Sequence, residues 1–410
     1  MSRARDRELR DPNFVRLWVG ETISELGSAI GGPAIRFAAV IVLSATPFEM
    51  GLLSATVVFS GLVTSLVAGV LTDRLERRPL IIVCDVGRAV ILLSIPLAAL
   101  GGALSMPQLY VVGLVVPALD ALFRVAYGAY LPSLVGREAI IGANSRLTAS
   151  AAVAEVGGFA AAGWLVQFLT APLAVAIDAI SFLGSALAIW GISKPELLPR
   201  ATAPARLLDD IAAGARFITS DRRLLVLAAS SAAQMFCDGM LGAVYLLFVM
   251  NMLGFAAGTL GMILAVGGIS SFFTALKARE VAERLGLRRS MVVTVTLAGA
   301  GLALIPMAQG SAAYAIAMLV AHQLITDGAV TIFVVTSRSF VQSMTPNEVI
   351  GRVTAGLVCA NQFAALIGSI VGGAIGAVLG LRAPLIFAAA GTLLAAVTLK
   401  AIPPLTESGP

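Results

Sequence analysis

A chain of 410 residues that is 58% hydrophobic and 12% charged, with a mean hydropathy of +0.94, carries about half the charge of an average soluble protein, for which roughly 25% is typical. So few polar residues cannot coat a water-soluble globule of this size, which excludes a soluble enzyme and makes lipid the expected solvent. The net charge of +5 is accounted for by basic loops on one side of a membrane, and no nucleic-acid partner is expected.

Residues 50–72, 89–119, 239–276, 290–326 and 353–381 contain no Asp, Glu, Lys or Arg. A helix needs only about 20 apolar residues to cross the roughly 30 Å hydrocarbon core. Backbone groups in lipid must be satisfied internally, so only helices or a closed barrel can cross. Continuous Leu, Val, Ala and Ile runs without strict alternation favour helices. In chain order the predicted spans are 14–43, 48–71, 78–102, 107–131, 141–168, 171–193, 222–250, 257–277, 289–308, 312–342, 350–379 and 384–402, twelve in all. The first is too long for a signal peptide and lacks a small-residue cleavage site, so it is read as a span. The expected fold is an all-α polytopic membrane protein.

Basic residues fall on alternate connections. The N-terminal tail (Arg3, Arg5, Arg7, Arg10, Arg16), the second connection (Arg74, Arg77, Arg78), the fourth (Arg137, Arg146), the middle segment from Lys194 to Arg223, the eighth (Arg279, Arg284, Arg288, Arg289) and the tenth (Arg352) all carry them. Among the opposite connections only the eleventh does, at Arg382. Positive residues stay inside, so both termini are expected in the cytoplasm. Cys84, Cys237 and Cys359 each fall in a predicted helix without paired spacing and are read as buried thiols. A single histidine, His322, and no clustered Cys/His argue against a metal site.

Two loops repeat at one interval. Asp73, Arg74 and Arg78 correspond to Glu283, Arg284 and Arg288, each 210 positions on, and Ser133 with Glu138 corresponds to Ser343 with Glu348 at the same offset. A six-span unit is therefore read as duplicated, dividing the chain into residues 1–193, a cytoplasmic linker at 194–221, and residues 222–410. Within the linker, Leu207, Leu208, Ile211, Ala213 and Phe217 have the spacing of a short amphipathic helix.

The run Gly69-x3-Asp73-Arg74-x2-Arg77-Arg78 resembles the motif between the second and third helices of the major facilitator superfamily, and the resemblance extends over nearly the whole chain. Phe14-x2-Leu17-Trp18, Asp85-x2-Arg88, Leu131-Pro132-x-Leu134-Val135, Ile177-Asp178-Ala179-x-Ser181-Phe182-Leu183 and Pro346-x3-Ile350-Gly351-Arg352-Val353 resemble the bacterial drug, macrolide and siderophore exporters of the enterobactin-exporter type. The resemblance implies the major facilitator fold, two pseudo-symmetric six-helix bundles working by alternating access. It also implies a cytoplasmic gate of Gly69, Asp73, Arg74, Arg77 and Arg78, with Asp85 and Arg88 counted with it and Gly351 and Arg352 opening the helix opposite. Asp73 there can accept from a helix N-terminus, whose partial positive charge favours an anion. One stretch departs from the pattern. Antiporters of the superfamily often carry Gly-Pro-x2-Gly-Gly in helix 5, whereas Gly158-Phe159-Ala160-Ala161-Ala162-Gly163 lacks the proline. Its small residues still permit close packing, but the stretch does not speak for export.

Ionisable groups at membrane depth mark candidate sites, because each costs at least ~2.5–3.5 kcal/mol at a helix centre unless paired or hydrated. The first span carries Glu21, Glu25 and Arg36 on one stripe; the fourth carries Asp120 and Arg124, one turn apart and able to pair. The seventh brings Gln234 and Asp238, and the tenth His322, Thr326 and Asp327. In the family resembled, helices 1, 4, 7 and 10 line the cavity. Glu21, Glu25, Arg36, Asp120, Arg124, Gln234, Asp238, His322 and Asp327 are therefore the expected substrate and proton cavity. Glu25, Asp238 and Asp327, with no basic residue one turn away, are the expected proton carriers. The Asp120–Arg124 pair is open between a structural and a cavity role, as is His322 between packing and titration. Asp178 is read as structural and Glu155 as either.

The expected protein is a transporter, not an enzyme. It exports a small amphipathic molecule, drug-, macrolide- or siderophore-like, by alternating access, with no cofactor, no metal and a proton gradient as the driving force. The alternatives are an importer or lysolipid flippase on the same scaffold, or a transport-inactive sensor or accessory subunit. The expected partners are the small-molecule substrate and the lipid bilayer, with the chain a monomer in the inner membrane.

Overall fold

The computed structural model describes residues 9–72, 75–194 and 207–402. Among them the helices run α1 (Pro12–Ile41), α2 (Pro47–Thr72), α3 (Arg77–Leu100), α4 (Met106–Gly136), α5 (Ala139–Phe168), α6 (Ala171–Trp190), α7 (Leu207–Ser220), α8 (Arg222–Leu247), α9 (Ala257–Leu285), α10 (Leu287–Met307), α11 (Ala312–Met344), α12 (Ile350–Leu379) and α13 (Arg382–Leu399). Each of the twelve predicted spans is a helix, and α7 occupies the expected amphipathic stretch. Helix α4 runs into α5 through Gly136, whose φ of 70° and ψ of 165° break the helix between two spans. Eleven of the described helices are long and apolar enough to cross a membrane. The remaining long one, α1, is 30 residues, but Glu21, Glu25 and Arg36 interrupt its apolar run.

The repeat read from two loops extends to the helix ends. Asp11 caps α1 by accepting from Asn13 N at 2.7 Å, and Asp221, 210 positions later, caps α8 by accepting from Arg223 N at 2.7 Å. An aspartate there satisfies an orphan amide and opposes the positive end of the helix dipole. Arg78 donates to the carbonyl oxygens of Ile189 and Trp190 at the end of α6. Arg288 donates to Lys400 O at 2.6 Å at the end of α13. Donors and acceptors are both 210 apart, so each arginine neutralises the C-terminal carbonyls of its own bundle.

Two compact units divide the chain: Met1–Ala45, Phe59–Ala205 and Ala256–Ala265 in one, and Thr46–Val58, Arg206–Phe255 and Val266–Pro410 in the other. In the first, α1 packs on α5 and α6, and α3 on α4 and α6; in the second, α8 packs on α12 and α13, and α10 on α11 and α13. Their apolar cores share several equivalent positions. Phe14, Ile81, Phe123, Tyr130 and Ile189 are buried in one core, and Leu224, Met291, Phe333, Phe340 and Leu399 are buried 210 positions on in the other.

Each unit also takes in the opening turns of a helix whose remainder belongs to the other. In the second unit Gly51 of α2 meets Gly373 of α12, and a Cβ on Gly373 would lie 2.7 Å from Pro47 O. In the first, Gly163 of α5 meets Gly261 of α9, and a Cβ on Gly163 would lie 2.4 Å from Ala257 O. These are repeat-equivalent contacts, Gly51 with Gly261 and Gly163 with Gly373 again being 210 apart. Without a hydrophobic drive between helices in lipid, such backbone-on-backbone packing supplies the cohesion. Gly373→Val is expected to lower the apparent melting temperature in detergent by an amount corresponding to about 1–3 kcal/mol. Gly61→Val, at a position with nothing within 4 Å, serves as the control; equal melting of the two variants would refute the contact's importance.

Candidate functional site

The interior of the first unit is organised around Arg88, which is 2% exposed. Asp85 and Arg88 sit one turn apart on α3, and Nη2 of the arginine donates to Asp85 Oδ1. Its Nη1 donates to Asp120 Oδ1 of α4 at 3.0 Å. The guanidinium lies 4.4 Å from the Phe123 ring centroid and 4.0 Å from that of Phe182. Aromatic faces from α4 and α6 thus stand where water would otherwise solvate the cation.

The chain of charges continues outward. Asp120 Oδ2 accepts from Arg124 Nε at 2.8 Å, and Arg124 Nη2 stands 3.9 Å from Glu25 Oε1 on α1. One turn before Glu25, Oε2 of Glu21 is buried with no hydrogen-bond partner among the described residues. Glu21, Ser24, Glu25 and Ser28 fall on one helical face by their spacing. With Arg88, Asp120, Phe123 and Arg124 they line a recess of about 10 Å³, room for about one water. Asp178 lies against the same helix. A Cβ on Gly31 would be 2.0 Å from Asp178 Oδ2, and one on Gly27 1.9 Å from Ser181 Oγ, so glycine is what lets α1 and α6 touch. Ser28 Oγ donates to Asp178 Oδ1 at 3.5 Å.

The structure brings Glu21, Glu25, Asp120 and Arg124 around one recess, and it regroups others. Asp85 and Arg88, expected with the cytoplasmic gate, are instead buried in the bundle beside Asp120, where the guanidinium meets two carboxylates. Glu25 had been singled out for lacking a basic neighbour on its own helix; Arg124 supplies one from α4. Arg36 and Glu155 are exposed.

In the second unit, Gln234 is 8% exposed and donates to Ser230 O of its own helix at 3.2 Å. Asp238 is exposed and within electrostatic reach of Asp327. Asp327 fills a notch on α9: a Cβ on Gly267 would lie 1.8 Å from its Oδ2. His322, 3% exposed, is not an open cavity group. Its Nδ1 lies 3.2 Å from Gly301 O and 3.0 Å from Thr326 Oγ1. A Cβ on Gly301 would strike Thr326 Oγ1 at 2.3 Å, so the glycine brings the α10 backbone to the ring, and the geometry supports packing.

Of the gate residues, Asp73 and Arg74 lie outside the described residues, and Gly69 is placed only as part of α2. Arg77 Nη1 donates to Ala129 O of α4 at 2.8 Å. Gly351 and Arg352 form the first turn of α12. The linker helix α7 rests on that turn, with a Cβ on Gly214 falling 2.1 Å from Arg352 O. Sequence reasoning passed over Phe123 and Phe182 as partners of Arg88, and over Ser24 and Ser28. The serines had a signal, their i+3 spacing from Glu21 and Glu25; Phe182 had none, because its contact joins α3 to α6.

A duplicated bundle of lipid-crossing helices with an ion-pair cluster in its interior is the architecture of major facilitator transporters, and solved structures of that kind superpose on this chain. The nucleoside transporter NupG covers 95% of this chain and 98% of its own with a TM-score of 0.78 at 14% identity. A bacterial homologue of the iron transporter ferroportin, in an inward-facing state, covers 95% and 98% with a TM-score of 0.73 at 17% identity. Among sequences, the uncharacterized MFS-type transporter YfiS of Bacillus subtilis (strain 168) is 24% identical over 391 residues, 93% of this chain and 90% of that one. The uncharacterized MFS-type transporter y4rN of Sinorhizobium fredii (strain NBRC 101917 / NGR234) is 26% identical over 403 residues, 96% and 95%. The chain is a multi-pass membrane transporter of the major facilitator class. The family model described as transmembrane secretion effector matches residues 7–408, and the chain belongs to that family.

Removing Arg88 leaves Asp85 and Asp120 without their shared cation. Arg88→Met is expected to destabilise the protein by about 3–5 kcal/mol, the range for breaking a buried pair. Arg88→Lys is expected to rescue it only in part, since an ammonium can neither fork between two carboxylates nor stack on the rings. Arg124, whose side chain is 64% exposed, is expected to tolerate Met with a much smaller loss. Thermal unfolding of the three variants in detergent checks the order.

Proposed function

We propose that the chain exports a small amphipathic molecule, drug-, macrolide- or siderophore-like, in exchange for protons and by alternating access. The observation that carries this reading is the excess of carboxyl groups in the cluster around Arg88 and Arg124. Glu21, Glu25, Asp85, Asp120 and Asp178 bring five carboxyl groups, against the two guanidiniums of Arg88 and Arg124. Hydrocarbon surroundings penalise net charge, so carboxyls in excess of the guanidiniums are the groups that a transported proton would neutralise. Glu21, with an unpartnered buried oxygen, is the group best placed to load and release one. Arg124 couples that event outward, because it reaches both Asp120 and Glu25 and must redistribute between them when either loses its charge.

Export is supported by the family's description as a secretion effector. The basic connections at Arg77, Arg78, Arg288 and Arg352 support cytoplasmic termini and an inner-membrane location. The Asp73 loop is the proposed cytoplasmic gate, with Arg77 and Arg78 bracing it. No cofactor is required by this scheme, and a single chain suffices.

Proteoliposomes carrying an internal pH dye and challenged with a panel of macrolides, siderophores and cationic amphiphiles test the coupling. Substrate-dependent proton flux is expected from the wild type and its loss from Glu21→Gln, with the variant still eluting as a folded monomer. Unchanged flux in Glu21→Gln would defeat the proton assignment. Asp73→Asn is expected to abolish net export while leaving substrate binding in detergent intact; normal export by it would defeat the gate.

A further inference from the structure

The second unit contains a crevice of about 440 Å³ between α12 and α13, floored by α8. Its floor is formed by Phe236, Cys237 and Met240, of which Cys237 is 4% and Met240 2% exposed. Its mouth is formed by Phe387 and Leu394, 49% and 64% exposed. The wall carries no charged side chain, and Cys237 and Thr398 bring its polar groups.

The repeat packs differently at the equivalent place in the first unit. The equivalent place between α1 and α6 is closed, with Asp178 and Ser181 pressed against Gly27 and Gly31. At the positions 210 on, α13 presents Ala388 and Gly391, while α8 presents Cys237 and Leu241. Ala388 packs into the core with Cys237 and Met240, and Gly391, which lines the crevice, adds no side chain to fill it.

We propose that the crevice holds one acyl chain of an anionic phospholipid. Its mouth is continuous with the hydrocarbon-facing surface of α13, so the surrounding solvent has direct access. Water would find too few polar partners there, and an empty crevice would forfeit dispersion contacts along its whole length. Shape selects a chain over a compact molecule. Lining residues run from Ala229 to Met240 on α8 and from Phe387 to Thr398 on α13, and eleven residues of helix at 1.5 Å each span about 16 Å. Charge selects the headgroup. The Ala229–Thr398 end points towards Arg222, which opens α8, and the exposed Lys400, two residues past Thr398; cations at that level attract an anionic lipid surface. The bound chain would brace the face of α8 opposite Gln234 and Asp238, whatever the substrate.

The test uses the full-length protein in nanodiscs doped with a phosphatidylglycerol bearing a diazirine on one acyl chain, and with the phosphatidylethanolamine equivalent. After photolysis, peptide mass spectrometry is expected to find the phosphatidylglycerol label concentrated on residues 229–240 and 387–398 relative to the exposed Phe272–Phe273 stretch of α9. The label there is expected to fall to the α9 level in Ala233→Phe, which fills the crevice, and in Ala229→Phe, a second filling variant at one end. Uniform labelling along the lipid-facing helices, equal labelling by the two lipids, or label that survives in whichever variant folds would each overturn the proposal.

Discussion

A guanidinium cannot be left unaccompanied in hydrocarbon, and the first bundle is arranged so that one is not. Arg88 holds Asp85 on its own helix and Asp120 on α4 while resting against Phe123 and Phe182. Three helices are thereby tied at one atom cluster in a medium that offers no hydrophobic force to hold them. The cost of burying an ion makes the pairing obligatory rather than optional, and the remaining polar features of the bundle are placed around it. Arg124 extends the cluster from Asp120 towards Glu25, and the recess lies at the point where α1 meets it.

The two repeats share a scaffold and have diverged in chemistry. Positions 210 beyond Glu21, Glu25, Asp85, Arg88, Asp120, Arg124 and Asp178 are Ser231, Met235, Val295, Ala298, Val330, Val334 and Ala388. Everything that makes the first interior ionic has been replaced by small or apolar residues in the second. There His322 bonds a backbone carbonyl freed by Gly301, and Asp327 occupies the notch left by Gly267. Caps, C-terminal arginines and aromatic cores were retained at the same offset, because both bundles must still terminate their helices and fill their interiors.

Glycine does in this chain what apolar burial does in a soluble protein. The Gly51–Gly373 and Gly163–Gly261 contacts, and the Gly27 and Gly31 contacts with α6, bring backbones together where a methyl group would collide. In the second unit α12 and α13 leave a crevice over α8 that opens to the hydrocarbon. Tight packing in one repeat and a gap in the other follow from exchanging glycines and short polar side chains between facing helices.

Much of this was legible in the chain itself. Twelve helices, their order, the amphipathic linker and the 210-residue repeat follow from apolar length and local spacing, because a span in lipid must satisfy its own backbone and needs no partner to do so. Same-helix pairs such as Asp120 with Arg124 were likewise readable from one-turn spacing. Contacts between helices were not. That Arg88 belongs with Asp120, that Arg124 reaches Glu25, that His322 faces a carbonyl of α10 and that α12 and α13 leave a crevice over α8 all depend on how helices rotate against one another. That rotation is set by which glycine meets which side chain across many residues of sequence, and only the tertiary structure decides it.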